Sequence, residues 1–148
     1  MSNPIAVRIQ QERWFRTLVE HISDAIVLLT ADGTVLYLSP STVRVTGYAP
    51  EERVGMTGFA LVHPDDLEYT RQRLSDLLKR PEEVITVENR LRHKDGSWRW
   101  LEGTATNLLD DSTIGAIVVN FRDITERKQA EEERSHLLAS EQAARVEA

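Results

Sequence analysis

The 148-residue sequence contains no cysteine. That absence excludes disulfides, zinc sites of the CxxC type, thiol catalysis and iron–sulfur clusters. It also suits a reducing compartment. No apolar run approaches the roughly 18–20 residues that a membrane-spanning helix needs. The opening "MSNPIAVRIQQERWF" lacks the basic start, apolar middle and small-residue cleavage site of a signal peptide. The segment therefore reads as cytoplasmic, without membrane contact. Positive charge is scarce, with 18 Lys and Arg against 24 Asp and Glu and a net charge of −6. No basic run offers a face for phosphate neutralisation, so a nucleic-acid partner is not expected. The four histidines, His21, His63, His93 and His136, show no metal-ligand spacing, and no metal is expected. There is no nucleophile elbow, no phosphate-binding loop and no acid pair of recognisable geometry. The acids of "HPDD" are explained as helix-start chemistry, so this segment is expected to carry no catalytic residues.

What remains is an ordinary globular composition, 41% hydrophobic and 28% charged, in a chain long enough for one domain with a core. In residues 10–22, Phe15, Leu18, Val19 and Ile22 fall on one face at helical period, which predicts an amphipathic helix. "AIVLLT" (25–30) and "TVLYLS" (34–39) flank Asp32-Gly33 and predict a hairpin. Helix starts follow at Ser39-Pro40, Ala49-Pro50 and His63-Pro64. Only the third opens a long helix, over 64–80, with Leu67, Leu74, Leu77 and Leu78 for a core-facing side. Strands are expected over 84–93, 97–109 and 113–123, joined by short polar turns into an antiparallel meander. In the last strand Ile117, Val119 and Phe121 point one way and Ile114, Ala116 and Val118 the other, so both faces need cover. From Asp123 the composition turns to good helix formers, with Asp123 and Glu126 spaced as a capping box. Ala130, Leu137 and Ala144 make a weak heptad in that helix, which is expected to couple to a neighbour and to continue beyond the sequence. The order predicts an α+β fold: a five-stranded antiparallel sheet with helices on one face.

Aromatics make up 6% of the chain, yet two of its three tryptophans lie in "HKDGSWRWLEG" (93–103). Trp98 and Trp100 share one strand face by the period of two. Two uses stay open: bulky sheet packing against a helix or a second copy, or contact with a ligand.

Five phrases in this order, "FRTLVEHISDAIVLLTADGTVLYLSPS", "TGYAPEERVGM", "VHPDDLE", "VENRLRHKDGSWRWLEG" and "VVNFRDITERK", resemble a PAS (Per-Arnt-Sim) sensor domain over about residues 12–128. The resemblance implies a flanking helix at 1–22, the PAS core at 23–123 and a signalling linker helix at 124–148. Asp123-Ile124-Thr125 matches the family's junction between its final strand and its output helix, and is expected to transmit the signal. Ser39 departs from the asparagine that many relatives carry there, and can cap the following helix instead.

The resemblance further implies a homodimer that passes a conformational change to a C-terminal effector. The tail looks like the linker before a sensor histidine kinase, although similar linkers precede diguanylate cyclases, phosphatases and further sensor domains. A ligand-free dimerisation module is the other reading. PAS pockets hold haem, flavin, linked chromophores, small metabolites or nothing. Without cysteine, cysteine-linked chromophores are excluded. Residues 65–80 contain no histidine to serve as a haem axial ligand, and no flavin ring-contact motif is present, so both are disfavoured. For a small ligand the candidate pocket comprises Ile26, Leu28, Tyr37, Tyr48, Leu74, Val87, Asn89, Val118 and Asn120. Asn89 and Asn120 each interrupt an apolar alternation, and a buried amide there needs a hydrogen-bond partner.

Overall fold

The computed structural model describes residues 24–147. The amphipathic helix expected over 10–22, with His21, lies outside the described residues. Strand β1 (Ala25–Leu29) and strand β2 (Val35–Leu38) form the first hairpin. Its turn is set by the Asp32 carboxylate, which accepts from the Thr34 amide at 3.2 Å and from the hydroxyls of Thr30 and Thr34. Gly33 sits there at φ 88°. A side chain is excluded twice over at this position, because a Cβ would stand 2.6 Å from the Phe59 ring.

Helix α1 (Thr42–Thr46) and helix α2 (Pro50–Arg53) follow, then a single 3-10 turn (Gly58–Leu61) and the long helix α3 (Pro64–Leu78). Ser39 does not cap α1 with its side chain. Its hydroxyl accepts the Ile26 amide at 2.9 Å and meets the Ser41 hydroxyl at 2.8 Å, and Ser41 donates to the Asp24 carbonyl at 3.1 Å. The two buried serines thus tie β1 to the start of α1. α3 opens as its sequence predicts: His63 Nδ1 accepts the Asp65 amide at 3.0 Å, Pro64 takes the first turn, and Asp65 and Asp66 face the helix N-terminus. It ends on Asn107, whose buried amide donates to the carbonyls of Leu77 at 3.0 Å and Arg80 at 3.2 Å.

Strands β3 (Val84–Arg92), β4 (Trp98–Leu108) and β5 (Ala116–Asp123) complete one antiparallel sheet of order β2-β1-β5-β4-β3. Ile85 lies opposite Ala105, Ala105 opposite Val119, and Val119 opposite Val27. Odd-numbered residues of β1, β3, β4 and β5 therefore share one face, the face on which α1–α3 stand. Leu77 is 1% exposed and Ile117 0%, packed with Ala105 and with Leu74, Leu78 and Ile85 where α3 crosses the sheet. A second cluster, Val27, Val35, Val45, Leu101 and Phe121, fills the other end. On the opposite face Leu28 and Ala116 form a smaller apolar group with Leu36, Tyr37, Ile114 and Val118. Helix α4 (Thr125–Glu147) leaves from the end of β5.

Candidate functional site: a cavity on the sheet and the junction to the last helix

The two clusters on the helical face share Leu29 and Val119 as neighbours, and the same two residues line a cavity of about 180 Å³. The sheet supplies its floor through Val27 and Leu29 of β1, Val87 and Asn89 of β3, Leu101 and Gly103 of β4, and Val119 and Phe121 of β5. Thr70 and Leu74 of α3 form one side, and Phe59 of the 3-10 turn closes against Gly33. Gly103 matters to the volume. A Cβ there would meet nothing closer than Val119 Cγ1 at 3.4 Å, so the missing side chain leaves open space above the strand. The wall is mainly apolar. Asn89 donates to Thr70 Oγ1 at 3.1 Å, Thr70 in turn donates to the Asp66 carbonyl at 2.8 Å, and Arg53 is the charged residue in the wall.

Of the residues chosen from sequence, Leu74, Val87 and Asn89 line this cavity. Ile26, Leu28, Tyr37, Val118 and Asn120 are placed on the opposite sheet face, where Ile26 pairs with Asn120 and Leu28 with Val118 and Tyr37. Asn120 is exposed there. Tyr48 lies between α1 and α2 with Arg53 and Lys94 each 5.9 Å from its ring, and is not part of the cavity wall. Sequence reasoning missed Phe59, Gly103 and Arg53. A glycine interrupting the strand "WRWLEGTATNL" is a usable signal for close approach or open space; Phe59 and Arg53 sit in aperiodic stretches that give none.

Neither tryptophan lines the cavity. Trp98 packs beside His63, ring centroids 4.4 Å apart. Trp100 lies half-buried on the opposite face, between two cations: the Arg90 guanidinium 5.1 Å and the Lys128 ammonium 5.0 Å from its ring centre. Its backbone is engaged as well. The Trp100 amide donates to Thr125 Oγ1 at 2.9 Å, and its carbonyl accepts from the Ile124 amide at 2.8 Å. Asp123 Oδ1 accepts the Thr125 amide at 2.7 Å, and Ile124 is buried at 5% exposure. Asp123, Ile124 and Thr125 thus fasten the root of α4 to a single residue of β4.

Arg90 links this junction to the cavity side. Its Nε and Nη2 reach the two oxygens of Asp66 at 2.9 and 2.8 Å, and its amide donates to the same carboxylate at 2.8 Å. These bonds hold the Asp66 carboxyl below its ordinary pKa, the Arg90 side chain contributing most, and raise that of Arg90. Asp66 lies one helical turn before Thr70 of the cavity wall. On the far side Glu88 takes Lys128 Nζ at 2.7 Å and Arg127 Nη2 at 2.9 Å, and Glu102 takes Arg122 at 2.9 Å. Lys128, then Arg127, depress the pKa of Glu88. The first turn of α4 is therefore clamped to carboxylates of β3 and β4. Among the described residues no group of three His, Asp or Glu side chains is placed to hold a metal ion, and no helix is long and apolar enough to cross a membrane.

A sheet of order β2-β1-β5-β4-β3 with short helices closing a cavity on one face defines an α+β domain built around an internal space. The family model described as the PAS fold matches residues 35–118, more than half of the chain, and the chain belongs to the PAS family. It is 28% identical over 131 residues to the sensor histidine kinase TmoS of Ectopseudomonas mendocina, covering 86% of this chain and 13% of that protein. It is 25% identical over 130 residues to the probable diguanylate cyclase DgcE of Escherichia coli K12, covering 87% of this chain and 12% of that protein. The crystal structure of a PAS domain from Colwellia psychrerythraea shares the fold with a TM-score of 0.67 at 24% identity, over 80% of this chain and 98% of that one. PAS domains of this kind thus occur in histidine kinases and diguanylate cyclases, and the chain spans about one-eighth of the length of those two relatives.

Proposed function

We propose that this chain is a cytoplasmic sensory or relay module. It binds a small molecule in the cavity, forms a homodimer through its terminal helices and outer sheet face, and passes a signal through Asp123-Ile124-Thr125 into α4. The effector we assign to the C-terminal side is a histidine kinase, on the similarity to TmoS; the similarity to DgcE makes a diguanylate cyclase the alternative. The domain regulates and does not itself catalyse.

The observation that carries this reading is the line of contacts from Thr70 and Asp66 of α3, through Arg90, to Trp100 and the root of α4. A ligand that shifts α3 against β3 by a fraction of an ångström alters the Asp66–Arg90 geometry. That changes how Trp100 is held beneath Lys128. Such a two-state bias needs only a few kcal/mol of differential ligand affinity. The cavity size also supports a small ligand over a flavin or haem. Drug-sized ligands occupy pockets of roughly 300–1,000 Å³, and a flavin or haem needs at least that much. Native mass spectrometry of the purified chain over a range of concentrations tests the reading. A dimer carrying a stoichiometric extra mass is expected. A dimer without extra mass, even after incubation with small-metabolite mixtures, favours a ligand-free assembly module, and a strict monomer removes the dimer from the proposal for this segment.

A further inference from the structure

We infer that the cavity is built for a small monocarboxylate, its apolar body between α3 and the sheet and its carboxylate on Arg53. This deepens the reading of the cavity as a ligand site and rests on it. Three observations point to it.

The first is the charge of the wall. Arg53, the last residue of α2, is the only charged side chain among the described residues that line the cavity, and no Asp or Glu lies in that wall. The second is the state of that guanidinium. It carries five donors, and one bond is formed, from Nη2 to the Thr57 carbonyl at 2.8 Å. No carboxylate comes within ion-pair distance of Arg53 among the described residues, although its neighbour Glu52 is engaged by Lys94 at 2.7 Å. Partial burial lowers the Arg53 pKa, so the charge is partly desolvated without a compensating acid. In a chain of net charge −6, an unmatched guanidinium in a cavity wall is a place for an anion from outside. The Arg71 guanidinium stands 5.0 Å from the ring of Phe59, which closes the cavity.

The third is the fit of the remainder. The space of about 180 Å³ is slightly larger than an engineered cavity of roughly 150 Å³ that admits benzene. One ring or a short alkyl chain fills it, against Phe59, Leu74, Val87 and Val119. A planar carboxylate matches the guanidinium fork with two parallel hydrogen bonds. A neutral molecule of the same body leaves the Arg53 guanidinium without an acid partner.

The test uses the purified 148-residue chain at constant ionic strength, with phenylacetate as probe and phenylacetamide and acetate as controls, read by titration calorimetry. Wild type is expected to bind phenylacetate more tightly than either control. Arg53→Gln, which keeps a donor for the Thr57 carbonyl, is expected to bind phenylacetate about ten- to a hundredfold more weakly, the loss of one charge-assisted pair, and so to lose the preference for phenylacetate over phenylacetamide. Arg53→Lys, charged but without the fork, should fall between them. Equal binding of phenylacetamide and phenylacetate to wild type overturns the carboxylate assignment and leaves the cavity reading standing. Equal binding of acetate and phenylacetate moves the anion out of the cavity and overturns it too. No binding by either aromatic probe overturns the cavity reading along with the inference. Comparing the probes on wild type decides the matter even if Arg53→Gln fails to fold.

Discussion

Gly103 is the residue on which cavity and stability trade directly. A glycine inside a strand gives up about 0.5–1 kcal/mol relative to alanine through backbone entropy, and here its neighbours leave room for a methyl group, with Val119 Cγ1 at 3.4 Å and Phe121 Cβ at 3.8 Å from the Cβ position. Gly103→Ala should therefore raise stability by about 0.5–1 kcal/mol, read as a higher denaturation midpoint at unchanged m, while Gly103→Leu fills the space and removes ligand binding. A destabilised Gly103→Ala would show that the strand needs the glycine for its backbone and not for its volume. Asp66 supplies the pH dependence. Its folded pKa lies below the ordinary value near 3.9 because Arg90 donates to it. A depressed carboxylate pKa stabilises the fold above about pH 4, and that contribution is lost as pH falls through the lower folded value. Asp66→Asn should cost about 1–3 kcal/mol at neutral pH, as a charge-assisted pair does, and the gap to wild type should close in acid. A gap that persists unchanged at pH 2 would assign the loss to packing. The residues chosen from sequence show what period two can and cannot give. Alternation correctly groups Val87 with Asn89 and Leu28 with Val118, but Ile26, Leu28 and Val118 are as apolar as Val27, Leu29 and Val119. With β1 and β5 apolar on both faces, hydropathy does not say which face carries the helices; the register Ile85–Ala105–Val119–Val27 does, and it is a tertiary fact.

At the scale of elements, the strands and the starts of the helices were legible because local chemistry specifies them: Asp32-Gly33 and Asp95-Gly96 at turns, Pro50 and Pro64 in first helical turns. Less legible were contacts between elements far apart in sequence. Ser39 holds the Ile26 amide where capping of α1 was expected, and the carboxylates of Glu88 and Glu102, which look like plain solvent-facing positions, clamp Arg127 of α4 at 2.9 and 3.6 Å. Those pairs explain how an exposed helix is given a fixed root. Asp123 is the narrowest part of that root, its carboxylate holding the Thr125 amide while Thr125 Oγ1 receives the Trp100 amide. Asp123→Ala removes a cap-type bond of about 0.5–2 kcal/mol, too little to unfold a domain whose core lies elsewhere. The expected outcome is a folded chain, normal by near-ultraviolet circular dichroism, in which amide exchange at Thr125–Lys128 speeds up, and a full-length protein whose effector no longer responds to input. Wild-type regulation of the effector in that variant would remove the junction from the signalling path.

For the whole molecule, the decisive feature is a 23-residue helix that extends roughly 35 Å at 1.5 Å per residue, far beyond the sheet that anchors only its first turn. Leu137 and Leu138 are 66% and 52% exposed along it, and Ala130, Leu137 and Ala144 repeat at seven-residue spacing. A solvated helix of this length is stabilised by its own good formers, yet an exposed leucine at a heptad position gains from a facing copy. One leucine per heptad line buries little area, and the two copies bring acidic stretches such as Glu131-Glu132-Glu133 toward one another. A homodimer formed along α4 should accordingly be weak and should tighten as salt screens that repulsion, the Debye length falling from about 30 Å at 0.01 M to about 8 Å at 0.15 M. Leu137→Glu should abolish it by placing a charge in the seam, with the monomer fold intact because Leu137 takes no part in the core. Sedimentation equilibrium at the two ionic strengths decides. A dimer that weakens with salt, or one that Leu137→Glu leaves unchanged, would move the interface off α4 and onto the outer sheet face around the half-buried Tyr37 and Val118, where substitution of Tyr37 by a charged residue becomes the corresponding test.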